Sequence, residues 1–188
     1  VNPPDVNISS IDFRPVDSTT ISFGLNAIKN VGTKALEQII ESRKEKERYE
    51  SIYDFTANVA LKTVNKKVLE SLIMAGAMDS LEGNRAQKFN EIEVALKYGQ
   101  NKQDAKSKNQ VDLFGGSQIN GTSDSMVPVL AQIEEWPESK MLENEKEVLG
   151  MYLSGHPLLK YADDLEEYSN FDFTDKINYH DQDKIRIG

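Results

Sequence analysis

The twenty residues from Gly24 to Arg43, Gly-Leu-Asn-Ala-Ile-Lys-Asn-Val-Gly-Thr-Lys-Ala-Leu-Glu-Gln-Ile-Ile-Glu-Ser-Arg, narrow the possible folds more than any other part of the chain. Leu25 and Ile28 lie three apart, and Leu36, Ile39 and Ile40 lie three and four apart, so two helical segments each carry an apolar stripe. Between them Asn30-Val31-Gly32 must turn the chain. Gly32 tolerates positive φ at no steric cost, and asparagine is the other residue that enters the left-handed region readily. Thr33 is the expected N-cap of the second helix, and Glu37 falls one residue too far on for a capping box. The layout is a short helix, a tight hairpin and a longer helix.

Such a hairpin points several backbone N–H groups, at the positive end of a helix, out of one small loop, and Lys29 and Lys34 flank it. Two readings stand. Lys29, Asn30, Val31, Gly32, Thr33 and Lys34 form a sequence-independent grip on a nucleic-acid phosphate, or they form an ordinary helical hairpin whose lysines are solvated. The layout then repeats. Ile52 and Phe55 give a short helix, 60–65 a turn, and Lys66 to Ala75 a helix with Val68, Leu69, Leu72 and Ile73 on one face. Lys62, Thr63, Val64, Asn65, Lys66 and Lys67 surround this second turn, which has no glycine. Phosphate contact and mere packing are equally open there.

Around the paired hairpins the pattern predicts a β-hairpin in residues 1–23, turning near Asp17-Ser18. The mixed charges of Arg43 to Arg48 read as a solvated helix end. Ala75-Gly76-Ala77 is a helix stop, and Asn84 caps a helix running through Phe89, Ile92, Leu96 and Tyr98 to close a body spanning 24–98. Residues 99–128 are dominated by Gln, Asn, Lys, Ser, Gly and Asp and are expected to form a mobile loop. One island interrupts it, Gln110-Val111-Asp112-Leu113-Phe114, whose apolar residues either fold back on the body or dock into a partner's pocket. Residues 129–160 regain order: Leu130, Ile133 and Trp136 predict a short amphipathic segment, and Met141 to Leu153 a helix. His156, in a Gly-His-Pro turn without a nearby nucleophile, reads as structural. Residues 161–188 are acidic and end in the alternating Lys184 to Gly188, as in the first strand of a further domain.

The chain has no cysteine and two histidines distant in sequence, which excludes disulfides and argues against structural zinc. No apolar run reaches membrane-spanning length, so a soluble, cytoplasmic protein without membrane association is expected. The start, Val1-Asn2-Pro3-Pro4, lacks a Met, as expected of a piece of a longer protein. The net charge of −9 is uneven: residues 1–25 carry one Lys/Arg against three Asp/Glu, 26–109 carry fifteen against twelve, and 110–188 carry six against sixteen. Only the middle is positive, so DNA contact is expected there and a protein partner at the acidic third.

Several separated motifs fall in an order that resembles the alpha subunits of bacterial DNA polymerase III, the C-family replicative polymerases. They are Pro3 to Asn7, Phe23-Gly24-Leu25 with Ala27-Ile28-Lys29 and Val31-Gly32, Val64 to Glu70, Ala75-Gly76-Ala77, and Glu145 to Gly150 leading to Tyr152 to Leu158. The resemblance implies a mainly α fold: the end of the fingers region with its small β-hairpin (1–23), a tandem helix-hairpin-helix domain, and a linker with the truncated first strand of an OB-fold domain (161–188). It implies duplex DNA, the sliding clamp and other replicase subunits as partners, with Gln110, Val111, Asp112, Leu113 and Phe114 as the clamp-binding peptide, Gln110 supplying a hydrogen bond. The carboxylates that bind Mg2+ for polymerisation lie in the family's palm domain, so no cofactor and no catalytic residue are expected here, although the whole is a nucleotidyltransferase serving DNA replication. Where the family's first hairpin usually reads Gly-Val-Gly, this chain has Asn30 first.

Two other classes compete. A helical protein-interaction domain would use the hairpins as structure only. A helix-hairpin-helix glycosylase or nuclease would need paired catalytic carboxylates near the hairpins, and none is seen there.

Overall fold

Two short strands and six helices follow one another along residues 1–112 and 127–161, which the computed structural model describes. β1 (Arg14–Pro15) and β2 (Ile21–Ser22) pair antiparallel, Arg14 opposite Ser22 and Pro15 opposite Ile21. As expected, the hairpin turns at Asp17, whose carboxylate accepts from the amides of Thr19 and Thr20 at 2.8 and 2.9 Å. These bonds hold its carboxyl below the usual range.

A 3-10 turn at Leu25–Ala27 leads through Asn30 into α1 (Thr33–Lys46). α2 (Ile52–Asn58) leads through a second turn into α3 (Lys66–Met74). This is the paired short-turn-long layout that the apolar spacing predicts. Leu25, Ile28, Leu36, Ile39, Ile52, Phe55, Leu69, Leu72 and Ile73 are all buried in one core. Each such burial stabilises by about 1.5–3 kcal/mol before entropy. Tyr49 lies fully inside and donates its hydroxyl to the Ile39 carbonyl at 2.8 Å. Arg43, expected on a solvated helix end, instead reaches back to the carbonyls of Val6 and Ser9, 2.9 Å each, and staples the N-terminal segment to α1. Partial burial pushes its pKa down.

α3 ends in a Schellman motif: Ala77 donates to the Leu72 carbonyl and Gly76 to that of Ile73, with Gly76 at φ +76°. Asn84 caps α4 (Arg85–Asn90) in a full capping box with Gln87. The single helix expected from Asn84 to Tyr98 is broken at Glu91, after which α5 (Ile92–Asp112) packs mainly along α2. Glu91, buried at the break, accepts from the Tyr53 hydroxyl at 3.0 Å.

The loop expected from residue 99 is corrected by α5, which continues to Asp112. Its anchors are polar. A side chain on Gly99 would stand 2.5 Å from the Thr56 carbonyl oxygen, so only glycine allows this approach. One turn on, Gln103 donates to the carbonyls of Thr56 and Val59 at 2.9 Å each, satisfying the open C-terminal end of α2. The backbone of Gln110, Val111 and Asp112 forms the end of this helix, whereas Leu113 and Phe114 lie outside the described residues, as does the strand expected at 185–188.

Residues 127–137 hold neither helix nor strand, another departure from the amphipathic segment expected around Leu130, Ile133 and Trp136. α4 supplies their bonds instead: Gln87 donates to the Ala131 carbonyl at 2.8 Å and Asn84 to that of Ile133 at 2.9 Å. The Glu135 carboxylate accepts from the amides of Arg85 and Ala86 at the positive end of α4. Partial burial raises its pKa, but those amides, that of Trp136 and the Arg85 charge together carry it below the usual range. Trp136 packs edge-on to Phe89, ring centres 5.3 Å apart. α6 (Glu138–Leu149) starts and stops earlier than the predicted Met141–Leu153, because Gly150 takes a left-handed cap at φ 78°.

Between α3, α4 and α6 lies a charge cluster in which Arg85 and Glu145 are buried and Asp79 is exposed. Arg85 is held by Asp79 at 2.7 Å and by the fully buried Glu145 at 2.9 Å, while Glu145 also accepts from the Leu153 amide. Val1–Leu153 makes one compact unit; the second begins at Ser154. In its described part a 3-10 turn spans Leu159–Tyr161, and the His156 ring nitrogen Nδ1 accepts from the Leu158 amide at 3.2 Å. Among the described residues no helix is long and apolar enough to cross a membrane.

Candidate nucleic-acid interface

The first hairpin divides its conformational work differently from the sequence expectation. Positive φ falls on Asn30, at 66°, and not on Gly32, which is extended at φ −77° and ψ 158°. Gly32, not Thr33, is the N-cap of α1, and it brings no capping side chain. Its carbonyl accepts from Ala35 and Leu36 at 2.9 and 3.1 Å. The amides of Gly32, Thr33 and Lys34 donate to nothing among the described residues. A side-chain carbon built on Gly32 would meet no atom within 4 Å. Neither φ nor packing therefore requires glycine, and its effect is to leave the amides bare on an exposed surface.

The neighbours brace this loop. Lys29 donates its amide to the Val148 carbonyl of α6 at 2.9 Å, and Asn30 donates its carboxamide to Ser71 Oγ of α3 at 3.0 Å. Val31 buries its side chain and donates its amide to Ile28, so it shapes the loop and offers no donor. The side chains of Lys29 and Lys34 are exposed, with no carboxylate in ion-pair range among the described residues.

The second hairpin is closed more tightly. Asn65 caps α3 with its own side chain, accepting from the Val68 amide at 3.2 Å. Thr63 and Val64 donate their amides to the Ala60 carbonyl, and Val64 is fully buried. The amides of Lys66 and Lys67 remain without an acceptor among the described residues. Lys66 pairs with Glu93 at 2.6 Å and Lys67 with Glu70 at 3.7 Å, whereas Lys62 is unpaired among the described residues. The Glu93 carboxylate raises the Lys66 pKa, and Lys66 in turn lowers that of Glu93. Exposed pairs of this kind are screened by solvent and contribute little, so a phosphate can replace the carboxylate. Ser71 lies five residues beyond Lys66, roughly 7.5 Å along α3, so the Asn30 contact holds both loops beside one helix.

Some cations elsewhere are engaged. In the groove between α2 and α5, Lys46 pairs with Asp54 at 3.2 Å, and Lys102 lies 5.7 Å from the centre of the Tyr98 ring. Among the described residues the hairpin lysines Lys29, Lys34 and Lys62 have no partner, and neither do Lys44 and Lys97 on helices away from the hairpins. Reading the sequence missed Ser71 and the Val148 carbonyl as braces. A small polar residue inside the apolar face of α3 was the available signal for Ser71; no side-chain pattern reports a carbonyl.

A family model described as a helix-hairpin-helix motif matches residues 1–88. The chain is 36% identical over 170 residues to the DNA polymerase III subunit alpha of Vibrio cholerae, and 36% identical over 166 residues to that of Escherichia coli K12. It is 43% identical over 161 residues to that of Saccharopolyspora erythraea. These matches take in 90%, 88% and 82% of this chain but only 14%, 14% and 13% of the relatives. The chain is thus similar to one segment of those much longer proteins.

Proposed function

We propose that this chain, a homologue of one segment of bacterial DNA polymerase III alpha subunits, holds duplex DNA by its backbone and tethers the polymerase to a sliding clamp. The observation that carries the DNA reading is the uncapped start of α1, where, among the described residues, three amides without acceptors are flanked by two lysines without ion-pair partners, inside a helix-hairpin-helix match. Amides and ammonium groups read phosphate without reading sequence, which suits a replicative enzyme that must slide. Nucleotide addition and its Mg2+ belong, on this reading, to another part of the longer cytoplasmic polymerase, where other replicase subunits also assemble.

Salt dependence tests the grip. With Lys29, Lys34 and Lys62 each neutralising one phosphate, log K against log salt should slope at about −2.7, and Lys34→Ala should bring it to about −1.8. A slope near zero in the unchanged protein would remove DNA from the account.

For the clamp, Gln110, Val111, Asp112, Leu113 and Phe114 form the docking peptide, Leu113 and Phe114 entering an apolar pocket. Burying those two is worth about 1.5–3 kcal/mol each, less the cost of ordering the peptide. Alone it binds weakly; joined to a protein already on the DNA that threads the ring, it gains roughly 10²-fold or more in avidity. That gain is the proposed source of processivity. Clamp affinity left unchanged by Leu113→Ala/Phe114→Ala would exclude the peptide.

A further inference from the structure

We infer that Ser71, buried in α3 and remote in sequence from the first hairpin, is a positioning residue that holds the phosphate-receiving loop in shape through Asn30; the inference rests on the DNA reading above. Asn30 sits at φ 66°, a conformation that disfavours most side chains, yet it opens the turn that exposes the Gly32, Thr33 and Lys34 amides. A residue so placed is free to relax unless its surroundings hold it. The surroundings do so from both sides: the Lys29 amide is fixed to the Val148 carbonyl of α6, and the Asn30 carboxamide to Ser71 Oγ, 3.0 Å away.

Ser71 is 1% exposed, so its hydroxyl is a fixed acceptor inside the core and not a wandering surface group. A glycine at position 30 would adopt the same φ without help but would have no side chain to anchor. The asparagine therefore exchanges intrinsic freedom for a tether, and the tether ends on Ser71. Ser71 would not touch DNA; it would raise the fraction of loops that can, and apparent affinity falls in proportion to that fraction.

The test is a double-mutant cycle on the 188-residue chain with a labelled duplex, in which Ser71→Ala, Asn30→Gly and the pair are titrated across a salt series. Ser71→Ala alone should weaken binding about fivefold, the size of one neutral hydrogen bond, without changing the salt slope, because no phosphate contact is lost. In the Asn30→Gly background the same substitution should have no effect. An equal loss in both backgrounds would mean that Ser71 acts through the packing of α3, and would overturn the inference while leaving the DNA grip intact. A lowered salt slope for Ser71→Ala would overturn it too. Lack of duplex binding by the unchanged protein would overturn both readings together. Thermal unfolding of each variant separates these effects from loss of fold.

Discussion

Replacing Gly32 with valine separates the two meanings of the first hairpin, because the structure makes the change cheap for the fold and costly for a ligand. The φ of −77° and ψ of 158° at Gly32 belong to the extended region that valine prefers, and nothing lies within 4 Å of the added Cβ. Glycine contributes no capping bond there, so the folded state loses at most about 1 kcal/mol of N-cap preference. The reduced freedom of the unfolded chain returns about 0.4–1 kcal/mol. The melting temperature should move by less than about 4 °C. The isopropyl group, however, stands where a phosphate must approach the Gly32, Thr33 and Lys34 amides. Loss of one charge-assisted hydrogen bond, about 1.5–3 kcal/mol, weakens duplex binding roughly 10- to 150-fold. Fluorescence anisotropy with a labelled duplex at low salt measures this directly. A normally folded Gly32→Val protein that binds duplex as well as the parent would refute the idea that phosphate reaches these amides.

Other consequences concern the scaffold. Glu145→Ala strips one partner from buried Arg85 while Asp79 remains, so a loss near 3 kcal/mol, the lower end for a broken buried pair, should appear as a reduced denaturant midpoint at unchanged slope. Gly76→Ala puts a side chain at φ +76°, 2.3 Å from Arg85 Nη2, and should cost at least about 2 kcal/mol in the same assay. Burial, with the hydrogen bond and charge of Glu91, pushes the Tyr53 phenol up to about 12 from 10.0. A pKa raised on folding stabilises fully below the unfolded value and loses that contribution as pH rises through the folded one. Stability should therefore fall between about pH 10 and pH 12, and Tyr53→Phe should make that decline shallower in pH-dependent unfolding.

The paired hairpins were legible because the pattern that marks them is local: Leu36, Ile39 and Ile40, then Val68, Leu69, Leu72 and Ile73, repeat at helical spacing around a short turn. The cap at Asn84 and the turn at Asp17 were legible for the same reason, since each residue bonds within three positions of itself. What escaped was held by partners far along the chain. The polar run after Tyr98 stays helical because Gly99 and Gln103 meet the end of α2, a contact that composition does not encode. Residues 127–137 take neither helix nor strand, and Asn84 and Gln87 at the start of α4 bond the Ile133 and Ala131 carbonyls instead.

At the candidate site the same division holds. The sequence alone determined that a glycine-containing turn between two amphipathic helices would carry lysines on both sides, since helix period and residue type are properties of neighbours. Tertiary structure decided that Asn30 takes the left-handed turn while Gly32 becomes a bare cap. It also decided which lysines lack carboxylate partners, and that Ser71 and the end of α6 hold the loop. Those outcomes depend on which distant groups arrive within hydrogen-bonding distance, and only packing brings them there.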